Sequence, residues 1–128
     1  MKFNYVEIGS SCFKTLAEVF RDDDNIVGLS VEPMPFLHKI IESHCTGSKN
    51  KHFLNAAIVK NSEIKNVRFY YTVDKNISSI SEVGIGSTDL KSLKKGISKA
   101  GFPVQGKIKE KNVTALTFNA MLERYGIT

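Results

Sequence analysis

Two short runs near the start of the chain combine residue types that can hold a nucleoside. Val6-Glu7-Ile8-Gly9-Ser10-Ser11 ends a β-prone run in an acid, a glycine and two hydroxyls. Val31-Glu32-Pro33 places a second acid 23 residues beyond Gly9. A glycine has no Cβ, so a ligand can approach the backbone closely there. A carboxylate such as Glu32 can accept hydrogen bonds from both hydroxyls of a ribose. The spacing is close to the roughly 20 residues that separate these two features in nucleotide-binding half-folds. A dinucleotide asks for G-x-G-x-x-G, so that its pyrophosphate rests on helix N–H groups. Only Gly9 stands here, with Ser11 and Cys12 at the later turn positions. That argues against NAD. S-adenosylmethionine carries no phosphate and needs less glycine, and Glu7 at the strand tip would help balance its ammonium group.

These residues need strands and helices to place them. Asn4 to Ile8 reads as strand one, closed by Gly9. Either Ser10 or Ser11 suits a helix cap, and Phe13, Leu16, Val19 and Phe20 recur at helical spacing. Three acids at Asp22 to Asp24 oppose a helix C-terminus, so they belong in a loop. Ile26 to Val31 is nearly all apolar, as in a strand buried on both faces. Pro35 to His44 reads as a second helix with Pro35 in its first turn. Thr46 to Lys51 reads as a polar loop, and Phe53 to Val59 as a third buried strand containing Asn55 and Ala56. Strand–helix–strand–helix–strand predicts an α/β fold with a parallel sheet. Val67 to Val73 follows across a short polar turn, and a hairpin with the third strand is expected. Residues 74–87 read as a loop. Leu90, Leu93 and Ile97 then mark a lysine-rich helix stopped near Gly101 and Pro103. Lys107 to Leu116 reads as a strand, and Thr117 caps a last helix through Tyr125, ended by Gly126.

Taken in order, these motifs resemble the FkbM-type class I methyltransferases, which use S-adenosylmethionine. Val6-Glu7-Ile8-Gly9-Ser10-Ser11 is similar to the family's first cofactor motif, with E-I-G in place of D-V-G. Gly28-Leu29-Ser30-Val31-Glu32-Pro33 resembles its ribose-binding motif, which typically ends in E-P. Leu54-Asn55-Ala56-Ala57-Ile58 is similar to its N-x-A-I strand. Gly86-Ser87 resembles its small-residue loop, and Val113 to Leu122 its T-L-D-x-L helix start, with Phe118 and Asn119 at the Leu and Asp positions. The resemblance implies a Rossmann-like class I methyltransferase fold with a β-hairpin extension. Residues 1–60 would form the cofactor-binding βαβαβ unit. Residues 61–128 would supply the hairpin, the lysine-rich helix, a strand and the terminal helix. Glu7, Gly9, Ser10, Ser11, Glu32, Pro33, Asn55 and Ala56 would bind S-adenosylmethionine. The reaction implied is O-methylation of a sugar or another small metabolite.

The family continues into a strand carrying D-x-E-G, its fourth, whereas this chain stops at Thr128. The resemblance therefore implies an N-terminal half, truncated before strand four, and names no catalytic base. One edge of strand one would then lack a partner, an invitation to pair with another chain. The expected partner is a second copy or a complementary second half. The alternative to an enzyme is a non-catalytic half-domain, a cofactor-binding or scaffold subunit of an oligomer.

Composition sets the outer bounds. A 128-residue chain is one domain. Hydrophobic residues at 41% supply a core, and 24% charged residues argue against global disorder. Only Cys12 and Cys45 are present, which excludes a disulfide framework. No segment approaches the roughly 18 apolar residues of a membrane span, and no signal peptide is evident, so a cytoplasmic protein is expected. His38, His44 and His52 have no metal-ligand spacing with the cysteines. The net charge of +5 is modest for a nucleic-acid binder, and the lysines from Lys91 to Lys111 read first as a solvated face.

Overall fold

A computed structural model describes residues 2–10, 15–72, 86–99 and 108–128. The chain is a small α/β domain with two sheets, one parallel and one mixed. The first sheet has the order β1 (Tyr5–Ile8), β2 (Gly28–Val31), β3 (Lys51–Leu54), all parallel. Between these strands run α1 (Leu16–Val19) and α2 (Pro35–His44). The second sheet is built from β4 (Ala57–Val59), β5 (Asn66–Thr72), β6 (Gly86–Ser87) and β7 (Ile108–Thr117), in the order β4-β7-β5-β6. Helices α3 (Leu90–Lys99) and α4 (Phe118–Arg124) complete the fold.

Side chains of β2 alternate between two apolar layers, as strand geometry requires. On one face Ala17 of α1 and Leu37 and Ile41 of α2 pack with Ala57, Phe69 and Val113. On the other, Leu29 and Val31 pack with Leu54, Ala56 and Met121 of α4. Every residue of β2 is buried, which is why its sequence reads as an almost continuous apolar run. Gly28 is the exception in size, and its neighbour explains it. Tyr5 lies opposite Gly28 in the β1–β2 register, with its ring laid across the glycine. A Cβ on Gly28 would fall inside that ring. The ring also stacks on Phe20, centroids 6.0 Å apart. Burial pushes the Tyr5 hydroxyl up to about 12, against a smaller opposing effect of the Ser30 hydroxyl.

Several sequence expectations are revised by the pairing. The third strand is not one piece. It breaks at Asn55-Ala56, so β3 pairs with β2 while β4 pairs with β7. The expected hairpin with the third strand does not form, because β7 lies between β4 and β5. A strand from the far end of the sequence offers a longer ladder: β5 and β7 pair over seven positions, Asn66↔Thr114 to Thr72↔Ile108. Helix α1 is shorter than its apolar spacing suggests and is capped by Thr15, whose Oγ1 accepts from Glu18 N at 3.2 Å. Ser11, Cys12 and Phe13 lie outside the described residues, as do Gly101, Pro103, Lys107 and residues 74–85 of the expected loop. Gly86-Ser87 of that loop forms β6. Thr117 does cap α4, its Oγ1 accepting from Ala120 N at 3.1 Å, and Gly126 follows at φ +63.

Lys51, expected in a loop, opens β3 and is only 8% exposed. Its ammonium donates to three backbone carbonyls: Asp23 O at 3.0 Å, Ile26 O at 2.7 Å and Lys49 O at 3.1 Å. This satisfies all three of its protons and ties together the loops that enter β2 and β3. Among the described residues no helix is long and apolar enough to cross a membrane.

The Tyr5–Gly28 contact makes a direct prediction. Gly28→Ala should destabilise the domain by about 1–3 kcal/mol through overpacking. In the Tyr5→Ala background the same change should cost almost nothing. Urea unfolding of the four proteins in the cycle measures this; additive effects would contradict the contact.

Candidate functional site

Parallel register brings the sequence-predicted residues to one end of the first sheet. Ile8, Val31 and Leu54 form the last paired row. The residues one step further are Gly9, Glu32 and Asn55, at the carboxyl tips of three adjacent strands. Ligands of open α/β sheets sit beyond such tips.

Each tip is held by a specific bond. Gly9 N donates to Val31 O at 2.8 Å and Ser10 N to the same oxygen at 3.2 Å. Gly9 adopts φ +72, and among the described residues no heavy atom comes within 4 Å of where a Cβ would stand. The backbone turn therefore favours a glycine here. Ser10 is 3% exposed, and its Oγ is buried with no hydrogen-bond partner among the described residues. Glu7, half-buried on β1, reaches over the loop: its Oε2 accepts from Leu16 N at 2.7 Å. One oxygen of the carboxylate thus anchors the start of α1.

Glu32 is 6% exposed, and its Oε2 accepts from Met34 N at 2.8 Å. That bond folds the carboxylate back over the turn leading into α2. Pro33 is half-buried beside it. The backbone of Glu32 remains in the sheet, its N–H donating to Leu54 O at 3.0 Å. Asn55 closes the arrangement. Its Nδ2 donates to Glu32 O at 2.8 Å and to Pro33 O at 3.0 Å. Its amide nitrogen thus satisfies two backbone carbonyls. Ala56 is fully buried against the α4 layer and offers no side-chain surface at the tips. Ser11 lies outside the described residues. Ser87 is remote from this row, and its Oγ accepts from Asp89 N at 3.0 Å in the turn before α3.

The opposite end of the sheet is of another kind. A depression lined by Arg21, Asp22, Asp24, Thr46, Gly47 and Ser48 lies at the amino ends of β2 and β3. None of the sequence-predicted residues lines it. Among the described residues no group of three or more His, Cys, Asp or Glu side chains could hold a metal ion. His44 and His38 instead meet carboxylates, His44 Nδ1 lying 2.8 Å from Glu18 and His38 Nε2 3.2 Å from Glu42. Sequence reasoning missed the Glu7–Leu16 and Glu32–Met34 bonds. Nothing in the sequence shows which N–H a carboxylate will find.

The arrangement is an α/β sheet end with two carboxylates, one left-handed glycine turn and one orphaned hydroxyl. No family model, no curated protein and no solved structure matches this chain.

The Asn55 clasp is testable. Asn55→Ala leaves Glu32 O and Pro33 O without this donor and should cost about 1–3 kcal/mol of stability. Equilibrium urea denaturation with the wild type as reference measures the loss; an unchanged midpoint would remove the clasp from the argument.

Proposed function

We propose that the carboxyl tips of β1, β2 and β3 bind S-adenosylmethionine, and that the chain is a Rossmann-like methyltransferase module of the FkbM type. The observation that carries this reading is the row Gly9, Glu32 and Asn55, one step past the last paired register of three parallel strands. It unites at one sheet end residues 46 positions apart in sequence. The fit to the cofactor rests on three features. Gly9 turns the backbone at φ +72 and carries no side chain between the strand tip and a ligand. Ser10 Oγ is a buried hydroxyl with no hydrogen-bond partner among the described residues. Glu32 and Glu7 put two carboxylates beside a ligand that carries a cationic amino acid end and a ribose.

The cofactor, when bound, supplies an electrophilic methyl group already activated by its sulfonium. The chain's own residues then act by positioning. Glu32 would accept from the ribose hydroxyls, with Met34 N and the Asn55 clasp holding it at the tip. Gly9 and Ser10 would line the cofactor's near side. Glu7 would hold the loop to α1 and add negative charge near the ammonium. The acceptor is a sugar or small-metabolite hydroxyl. Calorimetric titration with S-adenosylmethionine and S-adenosylhomocysteine tests the reading. Binding should be seen, and Glu32→Ala should weaken it by about 1–3 kcal/mol, as for loss of a charged hydrogen-bond partner. Absence of heat at millimolar ligand would refute it.

A second reading, a cofactor-binding subunit of an oligomer, is favoured by the edge of the first sheet. Among the described residues β1 has a partner strand on one side only. Ile8 at its tip is 47% exposed, and Val19 on neighbouring α1 is 65% exposed. An open edge flanked by apolar side chains favours pairing with another strand. The expected outcome in sedimentation equilibrium is a dimer that Val6→Pro on β1 converts to monomer. A monomer at all concentrations would exclude self-pairing.

A further inference from the structure

We propose that the end of the second sheet formed by β6, α3 and the first half of β7 is a docking surface for a nucleic-acid backbone. The inference is independent of the cofactor reading. It starts from where the charge lies. Residues 86–111 hold seven lysines and two acids, Asp89 and Glu110. Their net charge of +5 equals that of the whole chain, so the other residues sum to zero, with eleven basic and eleven acidic side chains. The modest average over 128 residues conceals a strongly basic stretch inside a neutral protein.

The fold gathers this stretch. Tyr70 of β5 pairs with Ser87 of β6 on one side and with Glu110 of β7 on the other. Tyr71 likewise pairs with Gly86 and Lys109. Strand β6 and the start of β7 therefore flank the same end of β5. Helix α3 begins three residues after β6 and packs on β5 and β6. Lys91, Lys94 and Lys95 stand at i, i+3 and i+4 along α3, which puts them on one face, and all three are exposed. Leu93 turns the other way and is 2% exposed. Lys109 and Lys111 are exposed on β7.

Both acids of the stretch are engaged elsewhere. Asp89 caps α3: its Oδ1 accepts from Lys91 N at 3.1 Å and its Oδ2 from Ser92 Oγ at 2.7 Å. These bonds, the Ser92 hydroxyl first, hold its carboxyl below the usual aspartate range. Glu110 pairs with Arg68 at 3.7 Å. Among the described residues none of the five lysines has an ion-pair partner within 4.0 Å.

Charge complementarity names a polyanion, and the details select among polyanions. Leu93, the apolar residue of α3 on the side away from these lysines, is committed to the protein and is not offered to a bilayer. The stretch holds lysines and no arginine, hence point charges without the planar fork that reads base edges or clasps carboxylates two at a time. Such a surface fits evenly spaced phosphates, without sequence preference.

Fluorescence anisotropy with labelled strands of about 20 nucleotides, single and duplex, tests this in the full chain. The expected affinity is micromolar at about 50 mM salt, with a slope of log K on log salt of about −3.5 to −4.5 for five phosphate contacts. Lys91→Gln/Lys94→Gln/Lys95→Gln should flatten the slope by about 2 to 3. Lys109→Gln/Lys111→Gln should flatten it by about 1.5 to 2. All these side chains are exposed, so the variants should melt like the wild type. Lys60→Gln/Lys65→Gln, two exposed lysines beside the other end of β5, should leave the slope unchanged. No binding at about 50 mM salt, or equal weakening by the Lys60/Lys65 variant, would overturn the proposal. So would a preference for an acidic peptide or phosphatidylserine vesicles over both nucleic acids.

Discussion

One chain segment serves two sheets in this protein, and the bonds of Asn55 make that possible. A strand that stops pairing with one neighbour and starts with another leaves backbone groups that need partners. Here the side chain of Asn55 supplies them, donating to Glu32 O and Pro33 O across the tip of β2. The break lets β3 finish the parallel sheet and β4 open the mixed one after a gap of two residues. The same two bonds fix the turn from β2 into α2, and with it the position of the Glu32 carboxylate. Fold continuity and candidate site therefore depend on one amide.

The two ends of the first sheet are built for different tasks. At the amino ends Lys51 draws three carbonyls onto one buried ammonium, and Asn50 Nδ2 adds a bond to Asp24 O at 2.7 Å. Nothing polar is left over there at the ammonium. At the carboxyl ends most polar groups are held, and Ser10 Oγ has no partner among the described residues. The carboxyl tips carry the candidate binding groups, and the amino ends carry the backbone tie made by Lys51. This is the usual division in open parallel sheets, whose strand tips present the variable loops.

Much of the local structure was legible. The 3.6-residue spacing of Phe36, Leu37, Ile40 and Ile41 and the first-turn Pro35 located α2 within its observed bounds, because amphipathic period and capping are local properties. Thr117 and Gly126 bracketed α4 for the same reason. The tip row of Gly9 and Glu32 was legible from spacing alone, since a βαβ unit of that length returns the chain to the same end. Pairing was not. The third strand and the Val67 strand lie close in sequence, which favoured a hairpin, yet the seven-position ladder with β7 wins by extent of hydrogen bonding and by burial of Phe69 and Val113. Lysines are seldom buried, and at Lys51 three converging carbonyls reverse that rule.

By itself the sequence determined what each residue says about its own neighbourhood: the α/β alternation, the helices, the acid and glycine at strand ends, and the total charge. The tertiary structure alone decided the rest. It split the third strand, inserted β7 between β4 and β5, and gave Asn55 and Lys51 their backbone partners. It also brought lysines from α3 and β7 to one end of the second sheet while occupying Asp89 and Glu110. Each of these depends on contacts between segments far apart in the chain, and no local pattern encodes which distant strand completes a ladder first.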